Sequence, residues 1–172
     1  MSQPVGAVMQ FAYVVNDIEA AINSWLRSLK AGPFFLLREI EILDPIYRQQ
    51  SIDPSIDIAL GYSGNVCIEL IMPRDDTPSV YRELLNRKPE GGFHHWGVFS
   101  ERFEADIADY NERGYESAFS GRVAVGDAFC YVDTSKHLGG MVELIKLTPA
   151  VKTLFAEMEL AAVNWDGAEP IR

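Results

Sequence analysis

Two glutamates lie within largely apolar, strand-like segments, Glu69 in the run VCIELIM and Glu143 in the run GMVELIK. A carboxylate among apolar neighbours must be solvated, paired, protonated or bound to a cation. Two other strand-like segments each carry a neutral donor, Gln10 and His95. A divalent metal between these four residues would balance the charge, since the two carboxylates cancel its charge and the Gln and His complete the set. Oxygen and nitrogen ligands without thiolate suit Zn, Ni, Co, Mn, Fe or Mg, and do not select among them.

An internal repeat relates these four residues. The segment Gln10–Leu26 aligns without gaps on His95–Asn111, and each copy reads as a strand, a cap and an amphipathic helix. The end of each copy is also alike, because Ile68–Ile71 matches Val142–Ile145. Gln10 therefore corresponds to His95, and Glu69 corresponds to Glu143. If the copies pack around a pseudo-twofold axis, each contributes one first-strand ligand and one terminal-strand carboxylate to the same point.

The rest of each copy predicts two further strands, which makes the element order βαβββ. Asn16 and Ser100 are the expected helix caps. The segment Asp44–Pro54 predicts a longer loop. The further strands are expected at Phe34–Ile42 and Ile56–Tyr62 in the first copy, and at Tyr115–Val123 and Asp127–Thr134, separated by a turn around Gly126, in the second.

The predicted fold is α+β, with two βαβββ modules forming one cupped mixed sheet and helices on its outer face. A single domain is expected over residues 7–149, composed of module 1 (7–73) and module 2 (92–149) joined by a linker helix at 77–88. Residues 150–172 are expected to form a C-terminal amphipathic helix and a tail. The apolar stripe of that helix needs a surface to cover, either its own sheet or the partner chain of a homodimer.

Alternation of side chains along a strand decides which residues share a face. Parity places Gln10, Glu69, His95 and Glu143 on one face, which we expect to line a concavity, while the opposite face is uniformly apolar and lies under the helices. His94 falls on the helix side by the same parity and is expected to be buried and hydrogen-bonded there. His137 lies in a Lys-His-Leu-Gly-Gly turn and is expected to be exposed. Tyr131 and Asp133, in the penultimate strand, are further candidates for lining the concavity.

The alternative interpretation of the four residues is structural. On that view the sheet face is simply wet, the glutamates are solvent-facing residues of half-exposed strands, and His95 is a hydrogen-bonded residue of the cup. The agreement of four positions across an internal repeat favours the metal site.

Composition limits the partners of the chain. Its 172 residues are 48% hydrophobic, and 15 Lys and Arg against 25 Asp and Glu leave a formal net charge of -10, which disfavours nucleic acid and anionic membranes. No apolar stretch approaches the roughly 20 residues of a membrane span, and the start of the sequence has no basic region leading into an apolar segment. A cytoplasmic protein acting on a small molecule is expected. Cys67 and Cys130 are expected to be buried thiols.

At these residues the sequence resembles the vicinal oxygen chelate superfamily, which includes glyoxalase I, methylmalonyl-CoA epimerase, bleomycin-resistance proteins and extradiol dioxygenases. The resemblance covers roughly Val8 to Pro149. The run Gly91–His95 leading into a strand is similar to the start of the second module in the epimerases, which implies that His95 is the ligand. Those enzymes usually have histidine at the position of Gln10, whereas a Gln, Glu, His, Glu set resembles some zinc-type glyoxalases I. A single histidine disfavours dioxygenase chemistry, and four occupied positions argue against a bleomycin-resistance protein.

The resemblance implies a metal-dependent isomerase, epimerase or lyase that abstracts a proton next to a carbonyl of a small substrate chelated through vicinal oxygens. By resemblance to glyoxalase I, Glu143 is the expected base, with Glu69 as the alternate. The other function left open is a non-catalytic protein that sequesters a hydrophobic or aromatic small molecule in the same cup. There is no glycine-rich phosphate loop, and Arg48, Arg74 and Arg82 are expected to be solvated surface charges.

Overall fold

The computed structural model describes residues 7–123 and 128–172. The predicted turn around Gly126 and the start of the strand predicted from Asp127 lie outside them. The strands within these ranges are β1 (Val8–Val14), β2 (Phe35–Ile40), β3 (Ile42–Tyr47), β4 (Gln50–Ser51), β5 (Ile56–Ser63), β6 (Val66–Pro73), β7 (Gly92–Ser100), β8 (Ser117–Val123), β9 (Ala128–Val132) and β10 (Met141–Lys146). The helices are α1 (Ile18–Leu29), α2 (Val80–Arg87), α3 (Phe103–Glu112), α4 (Ser135–Leu138) and α5 (Pro149–Ala162).

All these strands belong to one curled mixed sheet with the order β2-β5-β6-β1-β7-β10-β9-β8-β3-β4. In each repeat the first strand is parallel to the last, β1 to β6 and β7 to β10. The two first strands pair antiparallel at the centre of the sheet, which places a pseudo-twofold relation between them. The prediction of an α+β fold with paired βαβββ modules is confirmed.

The outer face of the sheet is the apolar one that parity predicts. Helix α1 covers Ile68 and Leu70 of β6, and α3 covers Val142 and Leu144 of β10. The predicted caps are wrong by one or two residues. Asp17 rather than Asn16 accepts the capping hydrogen bond of α1, from the backbone of Ala20. Ser100 instead donates from its hydroxyl to a side-chain oxygen of Asp106.

The segment predicted as a loop, Asp44–Pro54, is wrong in part, because it contributes to β3 and β4. Strand β3 pairs with β8 of the second repeat, although its chain continues directly from β2, which pairs with β5 of the first. The chain therefore crosses the open side of the cup between Ile40 and Ile42. The register shifts along both strands, and Glu39 and Asp44 have positive φ angles of 51° and 50°. These irregularities interrupt the alternation by which a strand is recognised in sequence.

Two helices pack inside the cup rather than outside it. Val80 and Tyr81 of α2, which begins after the cap Ser79, lie against Ala12 and Val14 of β1. Met158 of α5 is buried on the concave side of the first repeat, against three side chains, Leu60, Tyr62 and Cys67. The apolar stripe of the C-terminal helix thus covers the sheet of the same chain.

The chain end is also placed against the sheet. The backbone of Phe34 donates to Pro170, and the backbone of Leu36 donates to Arg172, so the tail pairs along the outer edge of β2. Both cysteines are free and buried, as predicted. Across residues 7–123 and 128–172, no helix is long and apolar enough to span a membrane.

Candidate metal centre

Four central strands bring the four predicted side chains to one point on the concave face. They are Gln10 on β1, Glu69 on β6, His95 on β7 and Glu143 on β10. His95 Nε2 lies 3.2 Å from Glu69 Oε2 and 3.2 Å from Glu143 Oε2. Gln10 Nε2 donates to Glu69 Oε2 at 2.6 Å. The site is therefore built from both repeats, two residues from each.

These side chains are buried, with relative exposures of 1% for Gln10, 6% for Glu69, 0% for His95 and 7% for Glu143. The interpretation of the sheet face as simply wet does not match this burial. Two of the buried atoms, Gln10 Oε1 and His95 Nε2, have no hydrogen-bond partner. For His95 Nε2 the carboxylates are close enough, but neither pair has hydrogen-bond geometry. Orphaned buried polar atoms are costly, and these two belong to side chains in contact with two carboxylates, a setting that suits a bound cation.

The donor set fits a divalent cation. One ligand atom from each of Glu69, His95 and Glu143 lies within 4.8 Å of the others. Ligand bonds of about 2.0–2.2 Å separate neighbouring donors by roughly 3–4 Å, so small adjustments would close the cluster around an ion. Gln10 would join through Oε1, because an amide oxygen is a metal ligand and an amide nitrogen is not. Oxygen and nitrogen donors of this kind suit Zn, Ni, Co, Mn, Fe or Mg, and select none of them.

The charge of the two buried carboxylates is offset in part by a proton on His95. Burial alone lowers the pKa of His95, but the charges of Glu143 and Glu69 raise it to about 9. Burial raises the pKa of Glu69, although the close contact with His95 opposes this. His95 is thus protonated between two carboxylates at neutral pH. A divalent cation would take the place of that proton.

The prediction for His94 is wrong in its orientation. The pairing of β1 with β7 shifts between Ala12, opposite His95, and Tyr13, opposite Phe93, so that His94 is bulged. The bulge turns its ring to the concave side, where it contacts Tyr81 and Tyr131. Parity fails here because it assumes unbroken alternation. His94 is still buried and hydrogen-bonded, as predicted.

The position of His94 fixes the tautomer of its neighbour. Burial, with repulsion from His95, lowers the pKa of His94 to about 3, so its ring is neutral. Its Nε2 lies 3.3 Å from the carbonyl oxygen of Val80, which can only accept, and therefore carries the hydrogen. His94 Nδ1 then accepts from the Nδ1–H of His95 at 2.9 Å. When His95 is neutral, its lone pair lies on Nε2, toward the two carboxylates.

Gly97 makes room for Gln10. The two residues are directly opposite each other in the β1–β7 pair. A Cβ added to Gly97 would lie 2.8 Å from the Cβ and 3.1 Å from Oε1 of Gln10. Any larger residue would displace the amide, so the position of the Gln10 side chain depends on this glycine.

A cavity of about 430 Å³ opens over the cluster, with Gln10, Glu69 and Glu143 at its floor. Two tyrosines project into it, Tyr81 from α2 and Tyr131 from β9, with their hydroxyl oxygens 3.1 Å apart. Burial raises the pKa of both hydroxyls well above the usual value, so they remain protonated donors. Tyr131 was a candidate from its place in the penultimate strand, whereas Tyr81 lies in a helix predicted only as a linker.

Other candidate residues lie away from the cavity. Asp133 pairs with Arg48 at 3.1 Å, and His137 is exposed on α4, as predicted. The arginines predicted to be solvated are instead ion-paired. Arg48 contacts Glu83 at 2.6 Å, Arg74 contacts the buried Asp57 at 3.1 Å, and Arg82 contacts Asp76 at 3.5 Å.

Comparison with protein families gives a match over residues 9–132 to the glyoxalase/bleomycin resistance protein/dioxygenase superfamily. The match covers well over half of the chain and includes Gln10, Glu69 and His95. The chain belongs to this superfamily. The match ends before β10, so Glu143 is placed in the site of this superfamily member by the structure rather than by the match. No curated protein matches the sequence significantly.

Solved structures share the fold of this superfamily member at low sequence identity. Methylmalonyl-CoA epimerase from Mycobacterium tuberculosis has a TM-score of 0.61 and 17% identity, covering 89% of this chain and 95% of that one. A hypothetical protein from Bacillus halodurans has a TM-score of 0.59 and 19% identity, covering 86% and 96%. A Streptomyces coelicolor methylmalonyl-CoA epimerase in complex with 2-nitronate-propionyl-CoA has a TM-score of 0.53 and 15% identity, covering 84% and 96%.

Proposed function

We propose that this superfamily member is a metal-dependent enzyme of the isomerase, epimerase or lyase type. It would abstract a proton next to a carbonyl of a small substrate chelated through vicinal oxygens. The observation that carries the proposal is the convergence of four buried side chains. In two of them an atom able to bind a metal, Gln10 Oε1 or His95 Nε2, has no hydrogen-bond partner. We further propose that residues 7–149 form the single domain that holds this site, with α5 added to it.

The proposed ligands are Gln10 through Oε1, Glu69 and Glu143 through carboxylate oxygens, and His95 through Nε2. The two carboxylates neutralise a divalent charge, and His94 holds His95 in the tautomer that leaves Nε2 free. When bound, the ion would supply a Lewis acid for the carbonyl oxygen that gains negative charge as the proton leaves.

Glu143 is the proposed base, and its contacts differ from those of Glu69. Glu69 Oε2 is held by the amide of Gln10 at 2.6 Å. The side chain of Glu143, within the described part of the chain, has an ion-pair contact with His95 alone. It is therefore freer to turn toward a substrate at the cavity floor.

The tyrosine pair offers a hydrogen-bond donor to the substrate. One hydroxyl of Tyr81 and Tyr131 donates to the other, which commits a single O–H. The second O–H remains to donate to an occupant of the cavity, and both hydroxyls stay protonated at neutral pH. A donor aimed at a developing oxyanion in a dry site is an effective source of transition-state stabilisation.

The first test is the metal content of the purified protein, measured by elemental analysis beside a Glu69→Ala, Glu143→Ala double variant. We expect about one divalent ion per chain in the wild type, directly or after reconstitution with Zn, Ni, Co or Mn, and none in the variant. Circular dichroism and a thermal melt establish that the variant is folded. Absence of metal from both proteins after reconstitution would contradict the proposal.

The second test is exchange of substrate α-protons in D₂O, read by NMR. The structural neighbours make methylmalonyl-CoA a necessary member of the panel, and the family makes the glutathione hemithioacetal of methylglyoxal another. We expect the metal-loaded protein to catalyse exchange in a substrate of this carbonyl class, and Glu143→Gln to abolish it. Full exchange by that variant would refute the role of Glu143.

A second function is favoured by the apolar cavity, namely sequestration of a hydrophobic or aromatic small molecule without chemistry. Tight binding to metal-free protein, with no proton exchange in the presence of metal, would support it. The homodimer and the cytoplasmic location stay predictions.

A further inference from the structure

The cavity above the candidate metal centre is apolar on nearly every wall. Apart from the three floor residues and the two tyrosines, Arg38 and Glu41 are its only other polar lining residues, within the part of the chain that the structure describes. A volume of about 430 Å³ lies within the range of about 300–1,000 Å³ that is usual for small-molecule sites. Its walls are aliphatic or phenyl side chains, for example Leu36, Ile58, Phe129 and Ile145.

Helix α5 forms one wall of this cavity. Val151, Leu154 and Phe155 of the helix line it. The helix is anchored by Met158, which is 4% exposed, and by the ring of Phe155, which meets Phe99 of β7 edge-on at 5.1 Å. Leu154 and Phe155 are half-buried, and both line the cavity. Helix α5 also lies beyond residue 132, where the family match ends.

The charges around the cavity do not suit an anionic substrate tail. Arg38 is the one cation in the described lining, and its guanidinium is already paired with the buried carboxylate of Asp57 at 3.1 Å and with Glu19. With an ion bound the two floor carboxylates would be neutralised, and Glu41 at the wall adds a negative charge. A phosphate or carboxylate away from the floor would have no unpaired positive partner among the described lining residues, which is costly in an apolar enclosure.

We propose that the substrate is an uncharged molecule with two neighbouring oxygens at one end and an apolar body at the other, and that α5 selects the size of that body. The oxygens would lie at the floor, and the body would pack against Leu154 and Phe155. The proposal rests on the proposed function for the oxygen end, whereas the apolar chamber and its α5 wall stand on the lining residues alone.

The first arm of the test measures the affinity of the metal-loaded protein for hydroxamic acids, which chelate through two oxygens. Hexanohydroxamic acid should bind roughly two orders of magnitude more tightly than acetohydroxamic acid, because each added methylene gains about fourfold when it is buried. Adipic acid monohydroxamate has the same chain length but ends in a carboxylate, and should lose at least tenfold relative to hexanohydroxamic acid. Affinity independent of chain length, or no loss with the carboxylate, would overturn the proposal.

The second arm uses metal-free protein and the uncharged fluorescent probe N-phenyl-1-naphthylamine, so that it does not depend on the metal. Leu154→Trp fills the chamber and should weaken probe binding at least tenfold. Leu160→Trp is the matched control on the same helix, because Leu160 is 70% exposed and faces away, and it should bind like the wild type. Equal binding by all three proteins, or no binding by the wild type, would overturn the apolar chamber. Failure of metal loading with success in this arm would refute the proposed function and leave the α5 wall supported.

Discussion

His94 and His95, adjacent in the chain, face the same side of the sheet and share a hydrogen bond of 2.9 Å between their Nδ1 atoms. Neighbouring residues of a regular strand point to opposite faces, so the contact exists only because β7 is bulged at His94. The bulge thereby links the candidate ligand to helix α2 through the carbonyl of Val80.

His94 should act as a positioning residue for His95. We expect His94→Leu to weaken metal binding about 10- to 100-fold, the usual effect of losing a partner that orients a ligating histidine. His94→Gln, whose side-chain oxygen can still accept from Nδ1, should recover part of the loss. The ¹⁵N shifts of the His95 ring give a readout that simple destabilisation would not change. An unchanged tautomer in His94→Leu would show that His94 only fills space.

Gly97 should be necessary for the position of the Gln10 side chain. In Gly97→Ala the new Cβ would lie 2.8 Å from the Cβ of Gln10 and force the amide away. Metal affinity should therefore fall although no ligand is removed, and calorimetric titration with Zn would measure it. The matched control is Gly61→Ala, whose Cβ would crowd the ring of Phe34 at 2.8 Å, outside the cavity. Equal losses of affinity in both variants would point to general instability instead.

Kinetic measurements should distinguish the roles of Glu69 and Glu143. Glu143→Gln should lower the rate of proton exchange by about 10²–10⁴, the range for loss of a general base. Glu69→Gln should act mainly through weaker metal binding, since Glu69 is held by Gln10. Exchange rates at saturating metal distinguish the cases, because excess metal should restore Glu69→Gln and leave Glu143→Gln inactive. The reverse pattern would assign the base to Glu69.

Arg48 should stabilise the fold in a pH-dependent way. Burial acts to raise the pKa values of Glu83 and Asp133, but hydrogen bonds, from Arg48 among others, bring both below their usual range. A lowered folded-state pKa contributes stability above the unfolded-state pKa, and this is lost as the pH falls through the folded-state value. Arg48→Met should cost about 1–3 kcal/mol at pH 7, and the difference from the wild type should shrink toward pH 3.

Urea unfolding at several pH values measures this difference. Arg102→Met is the control, because the side chain of Arg102 is 67% exposed and its carboxylate contacts are 3.8 and 3.9 Å long. That variant should differ from the wild type by less than about 0.5 kcal/mol, as exposed pairs usually do. A pH-independent difference for Arg48→Met would exclude the two carboxylates as its cause.

The regular parts of the fold were predictable because their side-chain periods are unbroken. Alternation along β6 and β10 was enough to assign Glu69 and Glu143 to the concave face, and helical spacing located α1, α3 and α5. His94 was misplaced because a bulge adds a residue that no local pattern marks. Strand β3 was missed since Asp44 has a positive φ and Pro45 follows it within the strand.

Residues brought in by long-range packing were the least predictable. Tyr81 reaches the cavity because α2 packs inside the cup, and the sequence of α2 does not say which face of the sheet it will meet. The burial of α5 against its own sheet likewise depended on the shape of a concavity formed by strands distant in sequence.

The passage of the chain from β2 to β3 links the two repeats, because β2 pairs within the first repeat and β3 pairs with the second. The first repeat supplies the strand that pairs with the outer edge of the second, so Tyr47 faces Phe119 across more than a third of the sequence. If either repeat were expressed alone, one of its strands would lose its partner. In an isolated second half, the edge of β8 would have unpaired backbone groups and could pair with another chain. Folding must close this long-range contact, and non-local pairing of this kind slows folding. The β3–β8 pairing thus gives the repeats a second junction, besides the central β1–β7 pair that carries Gln10 and His95.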